Sequence, residues 1–220
     1  TTPFNLTMTE IAGTYTCIWT NTSAYDPAFY QITIWAQDEN GNVNQSQFIV
    51  IRLQDIDPPS VSGITPADLS SYELLASIEI NATVSDIPSS TLIVMAKIVN
   101  GSDPFNLAMI EIAGTYTCTW TNTSEYDPGF YNLTIWAQDE SGNVNQTQYI
   151  TIKLEDTTAP SVTGITPADL SSYELPLTVE INATVSDVPS STLIVMAMIV
   201  NGSDPFNLAM TEIAGTYTCT

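Results

Sequence analysis

Ten Asn-x-Ser/Thr triplets, the acceptor sequence for N-linked sugars, are the most specific chemical signal in the chain. Chance would give roughly three or four in a chain this rich in serine and threonine. The acceptor side chains are Asn5, Asn21, Asn44, Asn81, Asn100, Asn122, Asn132, Asn145, Asn182 and Asn201. The pattern predicts glycosylation at several of these sites, which would place the protein outside the cell. The alternative is that these asparagines are plain polar surface.

Acidic side chains in predicted turns could bind a cation. Asp55, Asp57 and Asp139 bring carboxylate oxygens close to a predicted domain junction, and calcium prefers oxygen ligands of this kind. The signal is weak, because Thr158 replaces Asp57 in the next copy and the twelve-residue calcium loop is absent. Solvated turns and capping carboxylates are the favoured interpretation, and calcium bridging of successive domains is the alternative.

The sequence contains no set of residues suited to catalysis. It has no histidine, no serine or cysteine in a nucleophile motif and no glycine-rich phosphate loop. Paired carboxylates occur only in predicted turns, where nothing would enclose a substrate. The sequence therefore predicts a protein that is not an enzyme and that uses no cofactor apart from attached glycans and the calcium considered above.

The strongly negative charge of the chain limits the kinds of molecule that it can bind. Three Lys and Arg residues stand against 24 Asp and Glu residues, a formal charge of −21. Such a chain cannot neutralise phosphates, which argues against nucleic acid. No apolar run approaches the roughly 18 residues of a membrane span, so we expect no membrane insertion in this segment. The expected partners are identical domains or subunits in a fibre, and glycans.

A repeat of 101 residues organises the chain. The stretch from Glu10 to Cys17 returns twice at this spacing, and Pro-containing acidic stretches separate the copies. We expect residues 1–57 to be the back part of one repeat, 58–156 a complete repeat and 157–220 the front part of the next. The favoured explanation of the partial repeats is a window on a longer array; the alternative is completion between neighbouring subunits.

Alternation of apolar and polar residues predicts strands throughout the complete repeat. Tyr131, Leu133, Ile135 and Ala137 share one face of a strand, with Asn132 on the other, and a tight hairpin at Ser141-Gly142 follows. The stretch 92–99, apolar except for Lys97, predicts a fully buried strand, and 110–114 is interpreted as a turn. About seven short strands per repeat predict an all-β, two-sheet sandwich.

The stretch Asp127-x-Gly129-x-Tyr131-x-Leu133 resembles the motif that opens the sixth strand of immunoglobulin-like domains, and Asp26 to Tyr30 is similar with Ala28 in place of glycine. The resemblance implies tandem immunoglobulin-like sandwiches, with Tyr30 and Tyr131 as corner tyrosines that bond back to the chain. The strand that ends at Ala137-Gln138-Asp139 and is followed by Gly142-Asn143 is also similar to surface immunoglobulin-like repeats of bacteria and archaea. This resemblance implies an extracellular, cell-surface and more narrowly archaeal location.

Each repeat contains one cysteine, at Cys17, Cys118 and Cys219. One cysteine per repeat excludes a disulfide within a domain, and inward positions in separate cores cannot meet. We therefore expect three buried free thiols that act as small core side chains.

Two functions fit these features. The first is a structural component of an extracellular glycosylated filament, sheath or surface layer built from tandem immunoglobulin-like domains. The second is the stalk of a cell-surface adhesin whose binding domain lies outside this segment. Trp35 and Trp136, expected on the outward face of their strands, are candidates for contacts between domains or for packing beneath a glycan.

Overall fold

The computed structural model describes residues 3–20, 22–88, 91–101, 104–121, 123–175, 177–188 and 192–220. Two predicted glycosylation sites, Asn21 and Asn122, lie outside these residues. The backbone of the described chain is almost entirely strand and turn, with two single-turn 3-10 helices at Thr22–Ala24 and Thr123–Glu125. Within the described residues, no helix has the length and apolar character needed to cross a membrane.

The middle of the chain forms a two-sheet sandwich of ten described strands. They are β5 (Ser60–Thr65), β6 (Ser70–Glu73), β7 (Ile78–Ser85), β8 (Ile93–Val99), β9 (Phe105–Ala108), β10 (Ile110–Ile112), β11 (Thr115–Trp120), β12 (Gly129–Gln138), β13 (Val144–Asn145) and β14 (Tyr149–Glu155); β1–β4 precede them and are given below. One sheet has the order β10-β11-β7-β5, and the other β6-β14-β12-β8-β9 with β13 beside β12.

Strand β12 lies at the centre of the six-stranded sheet because its side chains alternate strictly. Tyr131, Leu133, Ile135 and Ala137 are buried in the core between the sheets. Antiparallel ladders join β12 to β14 on one side and to β8 on the other. Burying a leucine or isoleucine side chain contributes about 1.5–3 kcal/mol, so this one strand contributes a large share of the core.

The first strand of the sandwich is divided between the two sheets. Strand β5 pairs antiparallel with β7, whereas β6 pairs parallel with β14 in the opposite sheet. Asp68 fixes the crossing, because its carboxylate accepts the backbone N–H of Thr151 at 2.7 Å. This division places a strand against an edge of each sheet. The division adds β6, and with the short strands β10 and β13 it accounts for ten strands where about seven were expected.

Residues 110–114, interpreted from the sequence as a turn, form half of a hairpin. Strands β10 and β11 pair antiparallel, and Ala113 and Gly114 connect them with φ values of 51° and 85°. Both residues of such a two-residue turn need positive φ, and alanine seldom adopts it. Glu111 stabilises the turn by accepting the N–H of Gly114 at 2.8 Å. The predicted turn is present at Ala113-Gly114, but the prediction missed strand β10, because three residues are too few to show alternation.

Strand β8 is buried on one face only, although its sequence predicted full burial. Val94, Ala96 and Ile98 belong to the core, while Ile93 on the other face is 56% exposed. The reason is the antiparallel architecture, in which one face of the sheet packs on the core and the other is open. Lys97, which lies on the open face with Ile93, is the residue in this run that indicates burial on one face only.

The flanking segments contain fewer strands of the same kind. Residues 9–53 contain β1 (Thr9–Ile11), β2 (Thr14–Thr16), β3 (Ala28–Gln37) and β4 (Val43–Leu53), and residues 161–219 contain β15 (Ser161–Thr166), β16 (Ile181–Ser186), β17 (Met196–Asn201), β18 (Asp204–Ala209), β19 (Thr211–Ile213) and β20 (Thr216–Cys219). Ile34 is 47% exposed, whereas its counterpart Ile135 is fully buried. The described ladders lie within residues 9–53, 60–155 and 161–219.

Candidate functional site

Asn132 is the acceptor with the most accessible amide at the centre of a sheet. It lies on β12 with its side chain exposed on the outer face, in register with Val99 and Thr151 of the neighbouring strands. The Thr151 hydroxyl donates to Asn132 Oδ1 at 3.0 Å. No described residue bonds to Asn132 Nδ2, which is the atom a sugar would be attached to.

Two acceptors lie on the outer faces of equivalent strands in two repeats, as the alternation predicted. Asn81 on β7 and Asn182 on β16 are half-buried. Asn81 Nδ2 donates to Glu79 Oε1 at 2.9 Å, and Asn182 Nδ2 donates to Thr166 Oγ1 at 3.3 Å. Because both partners are on the surface, a sugar could replace these contacts with little rearrangement.

Both polar atoms of the Asn145 side-chain amide, Nδ2 and Oδ1, are hydrogen-bonded within the fold. Its Nδ2 donates to the Pro59 carbonyl at 2.8 Å, and its Oδ1 accepts the N–H and the hydroxyl of Thr147 at 3.0 and 2.9 Å. The counterpart Asn44 makes the same two bonds through Oδ1 to Ser46, and no described residue bonds to its Nδ2. The structure therefore gives Asn145 a structural contact that the sequon pattern did not reveal.

Three further acceptors, Asn5, Asn100 and Asn201, are exposed. Asn100 lies beside the start of β12, since its Nδ2 is 3.5 Å from the position of a Cβ on Gly129. Burial mainly raises the pKa of Tyr131, and the nearby Asn100 side chain partly offsets this rise. Asn100 therefore has a role in the corner as well as an acceptor sequence.

Both corner tyrosines bond back to the chain. The Tyr131 hydroxyl donates to the Asp127 carbonyl at 2.7 Å, and the Tyr30 hydroxyl donates to the Asp26 carbonyl at 2.8 Å. Tyr131 also packs edge-on against Trp120, with ring centroids 5.3 Å apart. Each corner is thus tied by one hydrogen bond and by an aromatic contact.

The cysteines are less buried than the sequence predicted. Cys17 is exposed, and Cys118 and Cys219 are half-buried, all as free thiols. Cys118 pairs with Ile80 on β7 and packs against the core, and burial raises its pKa to about 11. Burial of Cys17 stays a prediction, because the strand equivalent to β7 does not fall within residues 1–57. A raised pKa keeps the Cys118 thiol protonated and unreactive at neutral pH.

Asp139 belongs to a cluster of three carboxylates at the start of the sandwich. Carboxylate oxygens of Asp55, Asp86 and Asp139 all lie within 4.8 Å of one another. Asp139 is only 5% exposed, and Asn143 fixes it by donating its backbone N–H and its Nδ2, each at 2.8 Å. The Asn143 Nδ2 also donates to the Asp55 carbonyl at 3.3 Å.

The cluster corresponds in part to the predicted cation ligands. The structure brings Asp55 and Asp139 together, whereas Asp57 lies outside the cluster and its N–H donates to Asp55 Oδ1 at 3.2 Å. The sequence analysis missed Asp86, which directly follows β7 as Asp139 follows β12. Three carboxylates at this spacing can supply hard oxygen ligands to calcium, and a calcium requirement stays a prediction.

In comparisons with known proteins, the sequence matches no protein-family model and no curated protein. Solved structures are similar in fold. The fibronectin(III)-like modules of Clostridium thermocellum CbhA share 21% identity, with 73% of this chain and 77% of that chain covered and a TM-score of 0.33. The chicken CNTN1 FN1–FN3 domains share 11% identity, with 86% and 64% covered and a TM-score of 0.34.

A third similar structure is that of a 1.5-MDa bacterial ice-binding adhesin, with 13% identity, 89% of this chain and 64% of that chain covered, and a TM-score of 0.31. The chain thus spans less than two thirds of the length of two of these three structures. Similarities at such low identities and TM-scores carry no conclusion about this chain. Its own ladders and core show an almost all-β chain whose middle residues form a two-sheet sandwich.

Proposed function

We propose that this chain is a structural component of an extracellular glycosylated filament, sheath or surface layer. The observation that carries the proposal is that the middle sandwich holds the linkers on both sides of it through side-chain hydrogen bonds. A sandwich with both linkers fixed transmits its orientation to its neighbours. Repetition of this unit every 101 residues gives a stiff and regular rod, the form that a fibre or a layer requires.

The incoming linker is bound at one end of the sandwich. Asn143 Nδ2 donates to the Asp55 carbonyl and Asn145 Nδ2 donates to the Pro59 carbonyl. These amides lie on the hairpin and on β13, so they belong to the folded core of the repeat. Two such bonds, each worth about 0.5–1.5 kcal/mol, limit rotation of the linker, and the proline at 59 restricts its backbone further.

The outgoing linker is bound at the other end. Glu73 on β6 accepts the N–H and the hydroxyl of Thr157 at 2.9 and 2.6 Å, and the Thr158 hydroxyl at 3.3 Å. These bonds hold the pKa of Glu73 below its usual range. Charge-assisted bonds to a carboxylate are stronger than neutral ones, so Glu73 is the main restraint on this linker.

The remaining chemistry suits building material. Partners under this proposal are identical domains or subunits together with attached glycans, and the localisation is the cell surface, with no catalysis, nucleic acid or membrane insertion. The charge of −21 makes neighbouring arrays repel one another and keeps them soluble. Attached sugars or bound cations would be needed to join them. Any calcium effect would act at Asp55, Asp86 and Asp139, beside the incoming linker.

The second candidate function is an adhesin stalk. The same fixed linkers favour it, because a stalk also needs a stiff rod. The loop at residues 22–25 is almost unchanged in its copy at 123–126, which favours a scaffold and leaves ligand binding to a domain elsewhere.

Negative-stain electron microscopy of native material tests the proposal. Uniform fibres or sheets with a single axial repeat are expected, and a rod that ends in a globular head would favour the stalk instead. Glycopeptide mass spectrometry of the same material tests the sugar load. Bare asparagines at every acceptor would remove glycosylation from the proposal.

A further inference from the structure

The two outer faces of the middle sandwich differ in their aromatic content. The outer face of the four-stranded sheet carries polar residues of β7 together with the exposed Ile110 and Ile112 of β10. The outer face of the six-stranded sheet, called here the apolar face, carries Ile93, Met95, Val99, Phe130, Trp136 and Tyr149 among polar residues that include Lys97, Thr134 and Lys153. Phe130 is 60% exposed and Tyr149 is 64% exposed. Large apolar side chains exposed on one face mark interaction sites.

Asn132 lies at the middle of the apolar face. It is on the central strand β12, with Val99 of β8 on one side and Thr151 of β14 on the other. Phe130 is two residues earlier on the same strand and therefore on the same face. Any group bonded to Asn132 Nδ2 projects from the centre of this surface, within reach of the Phe130 ring.

Local contacts hold the acceptor and the ring in place. The bond from the Thr151 hydroxyl to Asn132 Oδ1 fixes the plane of the amide and leaves Nδ2 toward solvent. Lys153 lies 6.0 Å from the centroid of the Phe130 ring and pairs with Glu155 at 2.6 Å. The ring is therefore positioned by its neighbours on β14 while most of its surface stays open.

We propose that Asn132 carries an N-linked saccharide whose first pyranose ring packs its C–H surface against Phe130 and covers the apolar face. The inference rests on the glycosylation in the proposed function and adds a site and a role. In the attachment, Nδ2 attacks the anomeric carbon of a glycosyl diphosphate donor, a C–N bond forms, and the C–O bond to the diphosphate breaks. The diphosphate leaves with the electron pair, and the amide nitrogen gives up one proton.

A second copy of the chain is the less suitable occupant. Close packing of protein over Asn132 would bury an amide that has no described acceptor for Nδ2, and such a group costs about 1–3 kcal/mol. An attached sugar avoids this cost, because Nδ2 is bonded to the sugar and the sugar hydroxyls face water.

The first repeat provides a matched control within the chain. Gln31 occupies the position of Asn132, so this copy has no acceptor there. Its outer face carries the same kinds of side chain, with Phe29, Trp35 and Phe48 exposed. The substitution Gln31→Asn would create the triplet Asn-Ile-Thr at residues 31–33 without altering the surrounding face.

The test expresses the 220-residue chain in a host that performs N-glycosylation and in one that does not. Glycopeptide mass spectrometry is expected to find Asn132 occupied, and the sugar to raise the unfolding temperature of the middle sandwich by roughly 2–6 °C. Phe130→Ala should remove most of this increment, whereas Asn81→Gln should leave it intact. Gln31→Asn should become occupied.

Three outcomes would overturn the inference. If Asn132 is bare while other acceptors carry sugars, it fails and the proposed function stands. If every acceptor is bare, the glycosylation in the proposed function fails as well. If the chain from the non-glycosylating host dimerises in sedimentation experiments and Phe130→Ala abolishes the dimer, a second copy covers the apolar face and the sugar does not.

Discussion

Asn44 and Asn145 occupy the same position in two copies of the repeat but have different surroundings. Both use Oδ1 to bind the residue two places later. Only Asn145 also donates Nδ2 to the Pro59 carbonyl among the described contacts. A sequence motif therefore identifies which amides have the acceptor pattern, and the contacts of Nδ2 decide which of them a sugar can occupy in the folded chain.

The first prediction concerns glycan occupancy at Asn132 and Asn145. A sugar on Asn145 Nδ2 would have to break the contact with Pro59 in a half-buried position, whereas Asn132 is exposed and no described residue bonds to its Nδ2. In the 220-residue chain made in a glycosylating host, we expect glycopeptide mass spectrometry to find Asn132 modified more fully than Asn145. Equal occupancy would show that the Pro59 contact is dispensable.

The second prediction concerns the corner at Tyr131. Tyr131→Phe keeps the aromatic packing and removes only the hydroxyl that donates to the Asp127 carbonyl. The free energy of unfolding of the middle sandwich should fall by about 1 kcal/mol, the usual net value of one hydrogen bond. Denaturant titration measures this change, and Tyr30→Phe, in a different repeat, serves as the control that should leave the middle transition unaltered.

At the scale of strands, the sequence predicted those with clear alternation and missed those set by tertiary pairing. Strand β12 follows directly from its period of two. Strand β6 does not, because Ser70 to Glu73 has no apolar alternation and forms only through its ladder with β14. Asp86 was missed for the same reason, since its place beside Asp55 and Asp139 depends on how the strand ends assemble.

The third prediction concerns the outgoing linker. Glu73 has a lowered pKa because Thr157 and Thr158 donate to its carboxylate. Its stabilising contribution is therefore complete above the usual carboxyl pKa of about 4.3 and is lost as the pH falls through the lower folded value. Glu155 behaves alike, since Lys153 lowers its pKa, and the nearby Glu73 charge partly opposes this.

Small-angle scattering should detect the loosened joint as a broader distance distribution below this pH. Glu73→Gln should produce the broader distribution already at neutral pH, because a neutral amide is a weaker acceptor. The first junction supplies a matched variant, since it has Ile56 and Asp57 where the second has Thr157 and Thr158. Thr157→Ile with Thr158→Asp should act like Glu73→Gln, and unchanged scattering in both variants would contradict the assigned role of Glu73.

The fourth prediction concerns the carboxylate cluster. Carboxylate oxygens of the three side chains lie within 4.8 Å of one another, and a bound cation would offset repulsion between like charges at this distance. We expect calcium to raise the unfolding temperature of the chain, with a stabilisation of about 2.7 kcal/mol at 100 times the dissociation constant. Asp55→Asn should reduce the calcium response and raise the stability in chelator. Calorimetry that shows no calcium response in the unaltered chain would leave the cluster as solvated turns.

At the scale of the whole molecule, the repeat spacing and the sandwich class could be predicted from the sequence, whereas the fixed linkers could not. Self-similarity and alternation are patterns that can be read directly along the sequence. The bonds from Glu73, Asn143 and Asn145 to the linkers join residues more than 80 positions apart, and no local pattern marks them. These contacts nevertheless decide whether the array is a rod or a flexible string.

The parallel ladder between β6 and β14 has a mechanical consequence. The chain enters the sandwich at Pro59, which is hydrogen-bonded to Asn145 on β13. It leaves after Glu155 at the end of β14, and Glu155 is in register with Glu73 of β6. Tension along the array therefore pulls the first and last strands in opposite directions along their length. Under this shear the ladder hydrogen bonds are loaded together and do not open one by one, so each sandwich should resist stretching strongly.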